Sequence, residues 1–120
     1  MGNQHPAPVR PPISYEFFRK VDIRAGTIVG VAEIPGADSL MRLTVDLGDH
    51  RRTILAGIRQ ERSDPQEIEG RQALFVVNLE SPKMMGIVSE GMLLDIGYDD
   101  GITPVLAVPE KSVPDGTRAG

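Results

Sequence analysis

The stretch Leu40-Met41-Arg42-Leu43-Thr44-Val45-Asp46-Leu47-Gly48 decides the architecture. Leu43, Val45 and Leu47 alternate with Arg42, Thr44 and Asp46, and Met41 continues the apolar phase. A period of two is what a strand with one buried face and one wet face requires. Gly48-Asp49 supplies a tight reversal into residues 51–58, RRTILAGI, and the preceding residues 23–34, IRAGTIVGVAEI, are again β-branched and small. Three strands in a meander follow.

Residues 59–71, RQERSDPQEIEGR, break the pattern. Ser63 or Asp64 caps one or two turns of helix with Pro65 in the first turn, and Gly70 is the stop. Residues 72–79, QALFVVNL, form a fourth strand and residues 89–96, SEGMLLDI, a fifth, with the loop ESPKMMGIV across 80–88 between them. Three strands, a short helix and two more strands give an all-β fold, the five-stranded Greek-key barrel called the OB-fold. TPVLAV over 103–108 adds strand material beyond that barrel, before a turn-rich tail. In that surplus Ile102, Val105, Leu106, Val108 and Val113 call for an apolar surface to cover them. Ahead of the strands, residues 15–21, YEFFRKV, predict a short helix that plugs the barrel with Phe17 or Phe18. Residues 1–14, with four prolines, read as a disordered N-terminal arm, which leaves 15–118 as the domain.

Composition narrows the function. The 120 residues suffice for one domain, and the 13 Gly and 10 Pro suit a strand-and-turn chain better than a helical bundle. Zero Cys excludes disulfides, thiolate zinc sites and cysteine nucleophiles. His5 falls in the arm and His50 beside a turn, so neither anchors a catalytic group. The serine of GIVSEGM, Ser89, lacks the glycine two residues earlier that a nucleophile elbow requires. Glu61, Asp64, Glu67 and Glu69 lack the ligand spacing of an oxygen-donor metal loop and read as a solvated face. The chain is therefore expected to be no enzyme and to hold no cofactor or metal. With no long apolar run, it is expected to be a cytoplasmic protein with no membrane partner. Net charge is -4, yet residues 1–75 carry ten basic and ten acidic groups while 76–120 carry three and seven. Any surface for a polyanion belongs to the first two thirds.

Several segments together resemble a known family. They are Val21-Asp22-Ile23-Arg24 with Gly26 and Ile28, Pro35-Gly36-Ala37-Asp38-Ser39-Leu40, Val45-Asp46-Leu47-Gly48, Gly57-Ile58, Gly70-Arg71, Asn78-Leu79, Lys83-Met84 with Gly86, and Ser89-Glu90-Gly91-Met92. The spacing is similar to the tRNA-binding domain appended to bacterial methionyl-tRNA synthetases and found in free-standing small proteins. A related branch resembles the CsaA group of peptide-binding export chaperones. The resemblance implies an OB-fold, a homodimer built from elements added to the barrel, and tRNA bound by shape without catalysis. It also implies an aminoacyl-tRNA synthetase or a peptide as other partners; the alternative to tRNA binding is a peptide-binding chaperone-like dimer or a structural assembly module. The chain departs from the family pattern at Ser39, Ala56, Glu80, Pro82 and Met85; at Ser39, Glu80, Pro82 and Met85 basic residues are common. Each lost cation removes a phosphate contact, and Glu80 adds repulsion.

The candidate nucleic-acid contacts are Arg42, Arg52, Asn78, Lys83, Met84, Ser89 and Glu90. Arg42 and Arg52 are expected on one face of the second and third strands, with Arg51 or Arg59 near its ends. Lys83 is the one cation of its loop, with Asn78 and Met84 beside it as a second wall. Met84 and Met85 suit either an apolar contact for a base or peptide or a cap on the core. Ser89 donates to a phosphate or base, or else to local backbone, and Glu90 accepts from a base amino group or orients an arginine. Asp22 and Arg24, two apart on a strand, form a pair that supports the fold.

Overall fold

Strand β1, Ile23–Glu33, is long enough to serve both halves of one curled sheet. Toward its end it pairs with β2, Met41–Asp46, and β2 in turn with β3, Arg51–Ala56. Its first half pairs with β4, Gln72–Val76. Those pairings bring sequence-distant strands into the order β3-β2-β1-β4-β7, where β7 is Met92–Leu93. Between β4 and β7 lies the hairpin of β5, Lys83–Met84, and β6, Ile87–Val88. The computed structural model describes residues 6–120, so His5 lies outside the described residues.

The ring closes between β3 and the segment entering β7, where Glu90 N donates to Thr53 O at 2.8 Å. Inside it Phe75, Ile28, Leu43, Val45, Ile54, Ile58, Ile68 and Leu106 form one buried cluster. A β1 bulge between Ile28 and Gly30 lets the strand curl around that core. The capped turn over 59–71 is a single turn of 3₁₀ helix, Pro65–Ile68. Asp64 is its cap, accepting from Gln66 N, and Ile68 is its buried residue.

Three expectations change. The fifth strand is not continuous: after Leu94 the chain leaves β4 and turns to other partners. β8, Asp95–Ile96, pairs instead with β9, Val105–Leu106, while Leu94 N donates to Leu74 O and Leu94 O accepts from Ala107 N. The loop over 80–88 holds the β5–β6 hairpin. Helix α1, Tyr15–Phe18, forms under its Ser14 cap but buries nothing: Phe17 is 57% exposed and Phe18 45%. Four residues give too little length to turn a ring into the barrel, whose interior the strands fill themselves. Residues 6–14 form no helix or strand; Ala7 N and Arg10 reach Asp100 and Asp99. Of the surplus apolar residues, Leu106 enters the core and Val113 is half-buried, whereas Ile102, Val105 and Val108 are exposed.

The tail is strapped to the barrel. Thr27 Oγ1 and Gln72 Nε2 donate to Asp115 Oδ1, Gly116 N donates to Ala25 O, and β10, Arg118–Ala119, pairs with the start of β1. Asp22 sits at this junction, taking Arg24 Nε and Nη2 at 2.8 and 3.0 Å and Arg118 Nε at 3.1 Å. The Arg24 hydrogen bonds, helped by Arg118 against the opposing effect of burial, lower its carboxyl from 3.8 to about 2. A depressed carboxylate contributes stability above its unfolded value and loses it as pH falls through the folded one. Melting temperature is therefore expected to hold down to about pH 4 and to decline toward about pH 2, with Asp22→Asn flattening that decline. Calorimetry across the acid range checks it; an identical acid slope in the variant would remove Asp22 as the cause.

Candidate nucleic-acid interface

In β2, Leu43 and Val45 face the core, which turns Arg42, Thr44 and Asp46 outward. Cross-strand partners share a face, so Arg42 lies beside Leu55, Thr44 beside Thr53 and Asp46 beside Arg51. Arg52 is in phase with Ile54 and Ala56, both buried, and lies opposite buried Val45. Arg42 and Arg52 therefore do not share the outer face as expected. Arg52 works at the end of the barrel, where Nη1 donates to Val77 O at 2.7 Å and Glu90 O at 3.0 Å and Nε to His50 Nε2 at 3.1 Å. That last bond leaves His50 Nδ1 to carry the proton toward Asp49, 2.6 Å away.

Ser89 and Glu90 complete the same seam. Ser89 is 2% exposed; its Oγ accepts from Leu55 N at 3.0 Å and donates to Gly91 O at 3.1 Å. Glu90 Oε1 accepts from Thr53 N at 2.9 Å. Side-chain oxygens thus take the place of strand carbonyls along the edge of β3, satisfying donors that an open edge would leave unpaired. Gly91 permits the approach, since a Cβ there would sit 2.9 Å from Ile54 Cδ1 and 3.0 Å from Val76 O. Asn78 pins the start of the domain by accepting from Asp22 N at 2.8 Å and donating to Lys20 O.

Two loops flank the outer face of β2 and β3. Ile34 and Ala37 of the loop after β1 bury Leu55 together with Leu40, Met84 and Ile87. Met84 thus serves the small second core, and its partner across the hairpin is Ile87. Lys83 and Val88, also paired, take the opposite face and are exposed. The loop after β1 is held from below by residues that the sequence reading left nearly unused. Arg59 Nη1 donates to Ala37 O at 2.7 Å and Nη2 pairs with Glu33 at 2.7 Å, while Gln60 donates to Asp38 O. Ile58, read from sequence as the end of the third strand, lies beyond β3 and is buried in the main core. The side chains of Arg42, Arg51 and Lys83 are exposed and hold no hydrogen bond or ion pair among the described residues, so their charges face solvent.

A family profile described as "Putative tRNA binding domain" matches residues 23–118. The chain belongs to this tRNA-binding domain family. Its fold is that of an OB-type barrel, and its matched segment runs from the first residue of β1 to the first of β10. The methionine--tRNA ligase of Nitrosomonas europaea is 41% identical over 118 residues, which cover 98% of this chain and 17% of that enzyme. The chain thus spans about one sixth of the curated relatives it matches. The crystal structure of a MetRS related protein from Pyrococcus horikoshii superposes with a TM-score of 0.84 at 32% identity, covering 92% of this chain and all of that one. The chaperone CsaA of Bacillus anthracis superposes at 0.76 with 27% identity, covering 92% and 100%. Among the described residues no helix is long and apolar enough to cross a membrane.

Proposed function

We propose that this domain binds tRNA without catalysis, through the outer face of β2 and β3 and the β5–β6 hairpin. The match of residues 23–118 to the family carries the reading. Arg42, Arg51 and Lys83 supply the phosphate contacts around that face. Arg52, Asn78, Ser89 and Glu90 act behind it by fixing the barrel seam and the start of β1, and Met84 acts by seating the hairpin. Folded RNA suits such a surface, because its shape and phosphates can be met by separated cations on a rigid sheet.

The domain works as a homodimer in this reading. Tyr15, Phe17 and Phe18 on α1, where Arg19 and Lys20 lie over the Tyr15 and Phe17 rings, and Ile96, Tyr98 and Val105 around β8 and β9 are exposed apolar or aromatic residues. A second copy covering them removes from water the surface that the barrel itself leaves open. A peptide-binding dimer is the competing reading, favoured by the likeness to CsaA and by the exposed apolar side chains of the hairpin, Met85 and Val88.

One experiment separates these. Purified protein, with its mass read by sedimentation, is titrated with bulk tRNA across a salt series, with an unstructured RNA of equal length and an apolar peptide as controls. Twice 13.0 kDa is expected, with tRNA preferred and affinity falling steeply with salt. Lys83→Ala is expected to weaken binding and reduce the log–log salt slope by about 0.7–0.9, one phosphate contact. Absence of any tRNA preference at low salt overturns the reading, a tight peptide complex transfers it to the chaperone class, and a 13.0 kDa species removes the dimer.

A further inference from the structure

We propose that Met85 is an RNA-contact residue, held in a strained turn so that its thioether meets the face of an unstacked base whose phosphate lies toward Lys83. This rests on the tRNA reading above and assigns one residue of that site. Lys83 pairs with Val88 and Met84 with Ile87, which leaves Met85-Gly86 as a two-residue turn. Both have positive φ, 53° at Met85 and 78° at Gly86. Such a turn matches the twist of a hairpin but asks for Asn, Asp or Gly at its first position. With a Cβ in the left-handed region, Met85 costs stability, and it is the one non-glycine residue there among the described residues.

Core packing gives no return for that strain. Met85 is 52% exposed and belongs to neither buried cluster, whereas Met84 and Ile87 make the hairpin's contacts with the body. Its Cε reaches over the loop after β1, where a Cβ placed on Gly36 would lie 3.7 Å away. A large apolar side chain is therefore maintained at a loop tip, between two loops, at a position where a smaller polar residue would fold better. Strain of that kind is kept where a ligand uses it.

The surroundings choose the ligand. Val88 is exposed on the same face as Lys83, so the hairpin offers an apolar patch with one cation beside it. A nucleotide presents the complement: a flat ring that a polarisable sulfur contacts well, and an anion one sugar away. An apolar peptide side chain would use Met85 and Val88 and leave Lys83 idle. Glu80, upstream in the same loop, disfavours a second phosphate and limits the contact to one nucleotide.

The test compares Met85→Asn and Met85→Leu with the unmodified chain, by melting temperature and by bulk-tRNA affinity across salt. Asn relieves the turn, so melting is expected to rise by about 2–6 °C. Affinity is expected to fall about threefold or more with the salt slope unchanged, because an apolar contact releases no counterions. Met85→Leu keeps the strain and the apolar area but lacks the sulfur, and is expected to leave melting close to the original and to lower affinity less than Met85→Asn does. A fall in melting for Met85→Asn would make Met85 a structural tether between the two loops, and undiminished affinity would take it out of the interface; either overturns the proposal. If the unmodified chain shows no tRNA preference, the underlying reading fails first and this one with it. Loss of peptide binding alone in Met85→Asn would replace the base with a peptide side chain.

Discussion

Phe75→Ala is expected to lower the unfolding free energy by about 3–5 kcal/mol, a large part of the roughly 5–15 kcal/mol that holds a domain together. Phe75 has no exposed surface and is the largest fully buried side chain. On the interior strand β4 it lies between Arg24 of β1 and Leu93 of β7, and its ring shares the core with Ile28, Leu43, Ile54 and Leu106. Every wall of the barrel therefore contributes atoms to the gap its removal leaves. Hydrogen-bonded strands on all sides resist collapse into it, which places the cost at the upper end for a core truncation. Urea denaturation at constant pH reads the change. A loss below about 1.5 kcal/mol would mean that the barrel closes around the vacancy.

Ser89→Ala is the second large effect, expected at about 1–3 kcal/mol. Its origin differs, because hardly any volume is lost. The Leu55 N–H on β3 loses its acceptor at a buried position and Gly91 O loses its donor. Water has poor access to the Leu55 N–H, so its desolvation cost stays unbalanced. Thermal denaturation measures it, and tRNA affinity measured well below the melting midpoint is expected to match the original. A variant that keeps its stability and loses affinity would return Ser89 to the RNA surface.

Much of this fold is legible in the chain because one buried face writes a period of two. Leu43, Val45 and Leu47 place β2 without help, and Asp64-Pro65 places the capped turn. The same parity, carried one strand further, locates Arg52: in step with Ile54 and Ala56, it belongs to the core side, and Arg51 to the outside. Reading the Arg51-Arg52 pair as two surface cations ignored that step. Ser89 and Glu90 are a different case. Their partners Leu55 and Thr53 are more than thirty residues away, and no local pattern distinguishes a hydroxyl that closes a barrel from one that meets a phosphate. Phe17 and Phe18 likewise look like core from composition alone; only the filled interior shows that no room remains for them. Met85-Gly86 was hidden because methionine is not a turn former, and the hairpin is set by pairing rather than by turn preference.

The clasp between β10 and β1 bears on the order in which the chain acquires its shape. Arg118 reaches Asp22 across 96 residues, and Arg118 and Ala119 pair with Arg24 and Ile23. During synthesis β1 leaves the ribosome well before the segment that will cover this edge. The β1–β2–β3 meander joins neighbours in sequence and closes early, while the clasp waits on the entropy of the longest loop in the molecule. Until then the first two residues of β1 present open backbone groups on that side, so the nascent domain is most exposed to wrong strand partners there and is protected only when its last strand arrives.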